Sequence, residues 1–552
     1  MKNTMKTLLA LMAGVMTFSA CSNEDVLTNE NTNPEAKPIL TFNASTESDG
    51  ATRATIDVLA IKWQAGDAIL MMDGTNSSKY NLDAGCEGTT SGTFTRDGGS
   101  TAVSGENIYA LYPYSEGSLQ HTANLEDAQA AAEGIDGVLN NLEQWKDDID
   151  ETKTYASNLL EDELNDKKSS MNVEGISAEN QAIIIAYLLG ENIGVPAPVL
   201  SGSSITNVTL PAFQTVAAGQ TVDPKAVLMV AKADGEDLAF KNVCSYVKVT
   251  PTVACKKIEV RAMGAYLAGT FTVADVTAPE ASSISGGTSV VTLQAQSGEL
   301  EAGTYYIAVL PGTKSNGIEV RFYTSAETFN YNIRSTSFEF VRSKVHSGGN
   351  NSGALGTTWS KNTSYNRWSD ANYINAKTVT ISTGVSGTMP AGAKALNNDN
   401  TLWSRKDAEY NYYIETSASK IVTTNMREAF CYLKNVESYT GLDKLDVSDV
   451  STFDGCFQEN RNALASLDLS SWQINPAANT KQMFKNCMSL SSLTINNSFH
   501  YGYNVIDRIG QELPDGQYCI IKGVTDEAVK NDLNRPGSSY NATYTKFKFE
   551  GE

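Results

Sequence analysis

The chain has 552 residues, 41% of them hydrophobic, and a formal net charge of −21. Such a length suits three or four domains, and that apolar content supports real cores, which rules out a globally disordered chain. The acid excess repels phosphate backbones and anionic membrane surfaces, so it argues against nucleic acid as a partner and mainly implies solubility.

Lys2 and Lys6 precede an apolar run over residues 8–18, which is followed by Ser19, Ala20 and Cys21. The run is too short to span a bilayer as a stable anchor. The stretch resembles a bacterial lipoprotein signal, with Phe18 at the position where leucine is usual. That resemblance implies a signal peptide at 1–20 and a lipid on Cys21; an ordinary secretory signal with a chance cysteine is the competing reading. At about 0.8 kcal/mol per buried methylene, two or more acyl chains hold a soluble body on a membrane stably. Ser22, Asn23, Glu24 and Asp25 follow. Acidic residues here resemble the surface-export signal of lipoproteins in anaerobic Gram-negative gut and oral bacteria. Residues 21–37 read as a polar tether. No second apolar run reaches eighteen residues.

Residues 38–120 read as short strands, at 38–43, 55–63, 68–72, 93–95 and 108–112, separated by Gly/Asp/Ser turns, as in a β-sandwich. Leu125, Ala128, Ala132, Ile135, Leu139, Leu142, Trp145 and Ile149 then recur at three- and four-residue steps. That period predicts a helical insertion at 123–195, self-packed or offering a face to a partner. Strand character resumes at 204–210 and dominates to about 342. The expected division is an N-terminal sandwich at 38–222 carrying the insertion, a second sandwich at 223–345, and a Ser/Gly/Asn-rich linker at 346–372.

The last third contains a repeat. Phe430, Phe457 and Phe484 are 27 residues apart, and Leu433, Asn460 and Cys487 each stand three residues later. Apolar positions follow, including Leu490 and Leu493 in the third unit. A 27-residue period lies within the leucine-rich-repeat range, and such units bury their apolar faces only by stacking. Trp403 lies 27 residues before Phe430 and marks a candidate degenerate unit. The repeat region is placed at 373–498, with a C-terminal β cap at 499–552. Tyr432, Tyr439, Trp472 and Tyr501 are candidate ligand contacts if exposed, against the alternative that they are core.

The eight cysteines are Cys21, Cys86, Cys244, Cys255, Cys431, Cys456, Cys487 and Cys519, and none forms a C-x-x-C pair. That disfavours structural zinc or a redox dithiol. Most are expected to be buried small hydrophobes, and Cys244 could face Cys255 across a hairpin. His121, His346 and His500 are far apart, and no metalloprotease, P-loop, dinucleotide or nucleophile-elbow motif is present. The chain therefore reads as a non-enzyme without metal or cofactor; the alternative is a glycosidase, which needs only two carboxylates, and no motif singles out a pair among the 63 acidic residues.

Two resemblances extend this reading. Residues 1–345 resemble the fimbrillin family of surface lipoproteins and pilins. The match rests on Thr52-Arg53-Ala54, Trp63-x-x-Gly66-Asp67, Tyr109-Ala-Leu-Tyr-Pro113, Leu210-Pro211 with Gln214, Leu228-Met-Val-Ala231, Phe240-x-Asn242-x-Cys244 and Tyr305 to Gly312. It implies two transthyretin-like β-sandwiches, a mainly β fold, and cleavage between Arg53 and Ala54 by an arginine-specific protease; a loop arginine that is never cut is the alternative. Cleavage would remove the first strand, and another fimbrial subunit could then add a strand at the exposed edge. Residues 420–500 resemble BspA-type leucine-rich-repeat surface proteins, through the Met-x-x-x-Phe-x-x-Cys-x-x-Leu-x-x-Leu-x-Leu pattern closest at Phe484, Cys487, Leu490, Leu493 and Ile495. Together they imply a lipoprotein of the outer membrane, exposed at the cell surface. It would act as an adhesin or a tip-type fimbrial subunit for a host or microbial protein or glycan. The alternative is a glycan-capturing lipoprotein of a nutrient-uptake system.

Overall fold

The computed structural model describes residues 38–47, 61–114, 120–122, 178–190, 192–194, 197–360 apart from 263, 375–533 apart from 476–477 and 501–504, and 545–551, with single positions between 128 and 171. The described residues from Ile39 onward belong to one unit. Cys21, Arg53, Ala54 and Tyr501 lie outside the described residues. The described part is mainly β. None of its helices is long and apolar enough to cross a membrane.

Seven strands close a barrel, in the order Thr41–Thr46, Asp237–Asn242, Met229–Asp234, Tyr109–Tyr112, Ala68–Met72, Ser77–Leu82 and Ser91–Arg96. Alternation in the first strand sends Phe42, Ala44 and Thr46 inward. Trp63 fills the interior, edge-on to Phe94 at 5.0 Å, Tyr112 at 5.4 Å and Phe240 at 5.7 Å. A Cβ at Gly92 would come 2.8 Å from Leu82 Cδ1 and 3.2 Å from Trp63 Cδ1, so the glycine gives the indole its room. Ala68–Met72 and Tyr109–Tyr112 are buried along their whole length. Ile69, Met71, Ala110 and Tyr112 face the barrel core, while Leu70, Met72, Tyr109 and Leu111 join the core of the second module. Two buried faces explain their unbroken apolar runs.

The second module stacks an eight-stranded sheet with a three-stranded and a four-stranded sheet over one core. The large sheet runs Phe213–Val216, Val290–Ala295, Lys257–Ala262, Ile318–Tyr323, Thr328–Arg334, Ala354–Thr358, Lys420–Val422 and Leu445–Asp446. Gln214 is fully buried and ties its edge strand to Ala308, donating to the carbonyl at 2.8 Å and accepting from the N–H at 3.0 Å.

Three expected boundaries shift. Met229–Asp234 and Asp237–Asn242 complete the barrel, whereas Ser204–Leu210 and Phe213–Val216 belong to the second module, so a cut at 222/223 does not separate the sheets. Long crossovers between antiparallel strands leave no local signal of which sheet a strand joins. The expected linker is structured as far as residue 360: Val345–Gly349 pairs with Ser245–Val249, and Ala354–Thr358 with Thr328–Arg334. Small polar residues there are strand residues on a partly solvated sheet, and 361–374 lie outside the described residues. The stretch 55–63 is not a strand where described: Trp63 bonds through its backbone to Thr89 and Gly88.

Within the insertion, Ala128, Val138, Leu142, Trp145, Ile149 and Met171 share a core with Ile184 and Leu188 of the helix Ala178–Leu189. Gln120–Thr122 and Asn192–Gly194 pair antiparallel at its base. The last third begins with a five-stranded sheet, Lys394–Ala395, Leu402–Lys406, Asn411–Thr416, Thr378–Ser382 and Ser438–Thr440. Ser466–Asp468, Ser492–Thr494, Cys519–Lys522 and Phe547–Phe549 then stack in parallel register. The stretch expected as a separate cap therefore supplies two further rungs of the same stack.

Candidate functional site: the inserted first strand and the repeat stack

The first strand runs antiparallel to Ser91–Arg96, with Phe42 opposite Phe94, and parallel to Asp237–Asn242, with Ala44 beside Leu238. It makes the only parallel pairing among the described barrel strands. No tight hairpin joins parallel neighbours, so this strand is held by its contacts and not by a local turn. Asn43 N–H donates to Glu236 O at 2.8 Å, Thr46 N–H to Thr90 O at 2.9 Å and Thr46 Oγ1 to Ile61 O at 2.9 Å.

Its end is clasped by Arg342 and Ser343 together with Asn242 of the neighbouring barrel strand. Glu47 accepts both guanidinium nitrogens of Arg342, at 2.9 and 3.1 Å, the Ser343 hydroxyl at 2.7 Å and the Asn242 N–H at 3.0 Å. Burial acts to raise the Glu47 carboxyl, but the bonds from Arg342, Ser343 and Asn242 outweigh it and hold it below its usual range. Ser343 takes a left-handed φ of 60° to present its hydroxyl. Nothing in the local sequence marks this pairing, because its partners are 295 residues apart.

In the last third, backbone bonds link successive 27-residue units through their turns. Phe430 N–H reaches Cys456 O and Phe457 N–H reaches Met483 O, each at 2.8 Å. The Phe430 and Phe457 rings stack at 5.3 Å, and those of Phe457 and Phe484 at 6.0 Å. Three residues beyond each phenylalanine the side chain is buried, and in the second and third units it reaches back into the unit before. Leu433 is buried, Asn460 Nδ2 donates to Phe430 O at 3.1 Å, and the Cys487 thiol donates to Phe457 O at 3.2 Å. The cysteine of the motif thus acts as a weak donor that satisfies a buried carbonyl. Leu490 and Leu493 are fully buried beside it.

Of the candidate aromatic contacts, Trp472 is fully buried, its Nε1 donating to Leu442 O at 3.0 Å, so it is core and faces no ligand. Tyr439 is half-buried, packing edge-on to Phe430 at 5.3 Å and Phe457 at 5.4 Å. Tyr432 is half-buried in a left-handed turn with φ 58°. Trp403 is buried in Leu402–Lys406, with Nε1 3.2 Å from Glu415.

Where the large sheet meets the repeat stack, its outer face carries a buried ion network. Arg321, 2% exposed, bonds Glu319, Asp446 at 3.0 Å and Asp449 at 3.3 Å. Lys420 bonds Glu319 at 2.5 Å and Asp446 at 3.0 Å. Arg261 bonds Glu259 at 2.9 Å and also Asp449, and Lys257 bonds Glu259 at 2.6 Å. Burial acts to raise Asp446, but Lys420 and Arg321 outweigh it and drive the carboxyl far below its usual range.

None of the seven described cysteines is in a disulfide; Cys244 and Cys255 are separate buried thiols, pushed by burial up to about 12 and about 11. His346 accepts from Val341 N–H at 3.1 Å between the Phe338 and Phe340 rings, and burial lowers its pKa. His500 Nε2 lies 2.7 Å from Ala478 O. Among the described residues no three His, Cys, Asp or Glu side chains gather as a metal site.

A family model described as "Mycoplasma protein of unknown function, DUF285" matches residues 410–501. No curated protein matches the chain. Solved structures similar to it include a candidate cell adhesion protein from Bacteroides uniformis ATCC 8492, at 15% identity and TM-score 0.24, covering 51% of this chain and 79% of that one. Another from Bacteroides ovatus ATCC 8483 shows 14% identity and TM-score 0.23, covering 55% and 85%. A fimbrial protein from the same B. ovatus strain shows 10% identity and TM-score 0.20, covering 58% and 51%. TM-scores of this size do not equate the folds.

Proposed function

We propose that this protein is a non-catalytic, surface-exposed lipoprotein, an adhesin or tip-type fimbrial subunit. Lipid on Cys21 anchors it in the outer membrane, and the repeat stack binds a host or microbial surface component. The observation that carries this reading is the placement of Thr41–Thr46 as an inserted, parallel-paired strand. Arg53 follows six residues after Glu47 in the sequence. Cutting there would separate the first strand covalently from the barrel it completes, giving a partner subunit's strand the pairing edges of Ser91–Arg96 and Asp237–Asn242. The leucine-rich-repeat reading of the last third fits the parallel rungs and the phenylalanine stack.

N-terminal sequencing and palmitate labelling of the protein recovered from the cell surface test this. Labelled Cys21 on the uncut precursor and Ala54 as a second N-terminus are expected. An unlabelled protein, or one found only inside the cell, refutes the reading. A glycan array run alongside separates the alternatives: selective capture of one soluble polysaccharide favours a nutrient-uptake role.

A further inference from the structure

The clasp on Glu47 has a chemistry of its own. Arg342 presents two nitrogens side by side to the carboxylate, Ser343 adds a hydroxyl and Asn242 a backbone N–H. Arg342 is itself fixed by donating to Asn242 O at 2.8 Å. This is a fork that matches a carboxylate in the plane, from groups outside the strand being held. The carboxylate also sits at one register position: one residue past the last inward side chain, Thr46. Were the first strand to leave, all four donors would face the same vacated point.

We propose that Arg342, Ser343 and Asn242 form a carboxylate receptor that sets the register of whichever strand fills the barrel gap. The chain's own Glu47 occupies it first, and an acid-bearing extended segment of a second subunit does so after the first strand departs. That second occupancy rests on the cleavage reading given above. The gap specifies the rest of the segment. An aromatic residue fits the Phe42 position, where the ring lies 5.5 Å from Tyr80. A small residue fits the Ala44 position, opposite Gly92. A small or hydroxyl residue fits the Thr46 position, followed at once by Asp or Glu. A one-residue slip would turn every inward side chain outward and move the carboxylate off the fork, so the receptor discriminates register as well as sequence.

Two measurements on the full-length protein decide this. Hydrogen exchange is followed in the uncut protein, comparing wild type with Glu47→Gln and Arg342→Ala. Protection of the amides in 41–46 is expected to fall about tenfold in both variants, with Met229–Asp234 unchanged. Unchanged protection in 41–46 overturns the receptor, whatever happens at Arg53. The protein is then cut with an arginine-specific protease, and a synthetic peptide of residues 40–47 is titrated against it. Binding about tenfold tighter than that of the same peptide ending in Gln supports the receptor, and equal affinity overturns it. Failure of the protease to release the first strand, with the exchange result as expected, removes the cleavage reading and leaves the receptor standing for the intact chain.

Discussion

Replacing Arg321 by methionine tests whether the buried ion network joins the second module to the repeat stack. Four cations, Lys257, Arg261, Arg321 and Lys420, face four carboxylates, Glu259, Glu319, Asp446 and Asp449. Arg321 is the hub, with bonds to three of the acids from a side chain 2% exposed. Its guanidinium also stacks 5.0 Å from the Phe329 ring centre, a packing role that methionine can partly keep. Arg321→Met leaves Glu319 and Asp446 to share Lys420 and leaves one net negative charge buried. Breaking a buried pair from one side costs about 3–5 kcal/mol. Urea unfolding, followed both by fluorescence and by far-UV circular dichroism, should show a loss of that size. The two probes should separate if the repeat stack loosens first. The double variant Arg321→Met/Glu319→Met should recover part of the loss, because both ends of one pair are then apolar. A cost below about 1 kcal/mol for the single variant, or a double variant as unstable as the sum of the singles, would contradict the reasoning.

Acid should attack the same network. Asp446 and Glu259 have folded-state values below their unfolded ones, so their contribution is complete above the unfolded values near 4 and is lost as pH falls further; stability that stays flat from pH 6 to pH 2 would contradict this. Lys314, 4% exposed, bonds Tyr266 O at 2.9 Å, and burial pushes its ammonium down to about 8. The unfolded chain therefore binds more protons between pH 8 and about 10.5, and stability should rise through that window. Lys314→Met should remove the rise and stabilise the protein by about 1–2 kcal/mol at pH 7, read by chemical denaturation. Phe457→Ala should cost about 3–5 kcal/mol, since its ring is stacked between two others in the buried core.

The sequence was most legible where one period governs one buried face. The 27-residue spacing of Phe430, Phe457 and Phe484 marks a real stack in the fold, and the strand expected at 38–43 is present three residues later, at Thr41–Thr46. It was least legible where burial came from a distant partner. Ser204–Leu210 and Met229–Asp234 are near in sequence and read alike, yet one joins the second module and the other the barrel. The sequence left Trp472 open between a ligand contact and core, and the structure shows it as core. The carbonyl of Leu442, thirty residues away, is what satisfies its indole N–H and lets it sink. The linker reading failed over 346–360 for a similar reason: Ser and Gly suit a strand whose neighbours supply the apolar bulk, as Phe329 does over Gly356, where a Cβ would meet the ring at 2.3 Å.

Asn460 shows how the repeat motif can be read physically, and it yields a last prediction. It stands where Cys487 stands one unit later, and both reach a phenylalanine carbonyl of the preceding unit, 30 residues back. The amide makes a second bond, to Phe457 O at 2.9 Å, but its Oδ1 is buried with no donor. A thiol would keep the bond to Phe430 O, give up the one to Phe457 O and bring no orphaned acceptor. The Phe457 carbonyl still receives the Cys487 thiol, so it is not left bare. An unmade bond on a buried polar atom costs about 1–3 kcal/mol, against about 1 kcal/mol for the bond lost. Asn460→Cys should therefore raise stability by about 1 kcal/mol, seen as a higher denaturation midpoint at unchanged slope. A lower midpoint would mean that the amide's two bonds outweigh its buried oxygen.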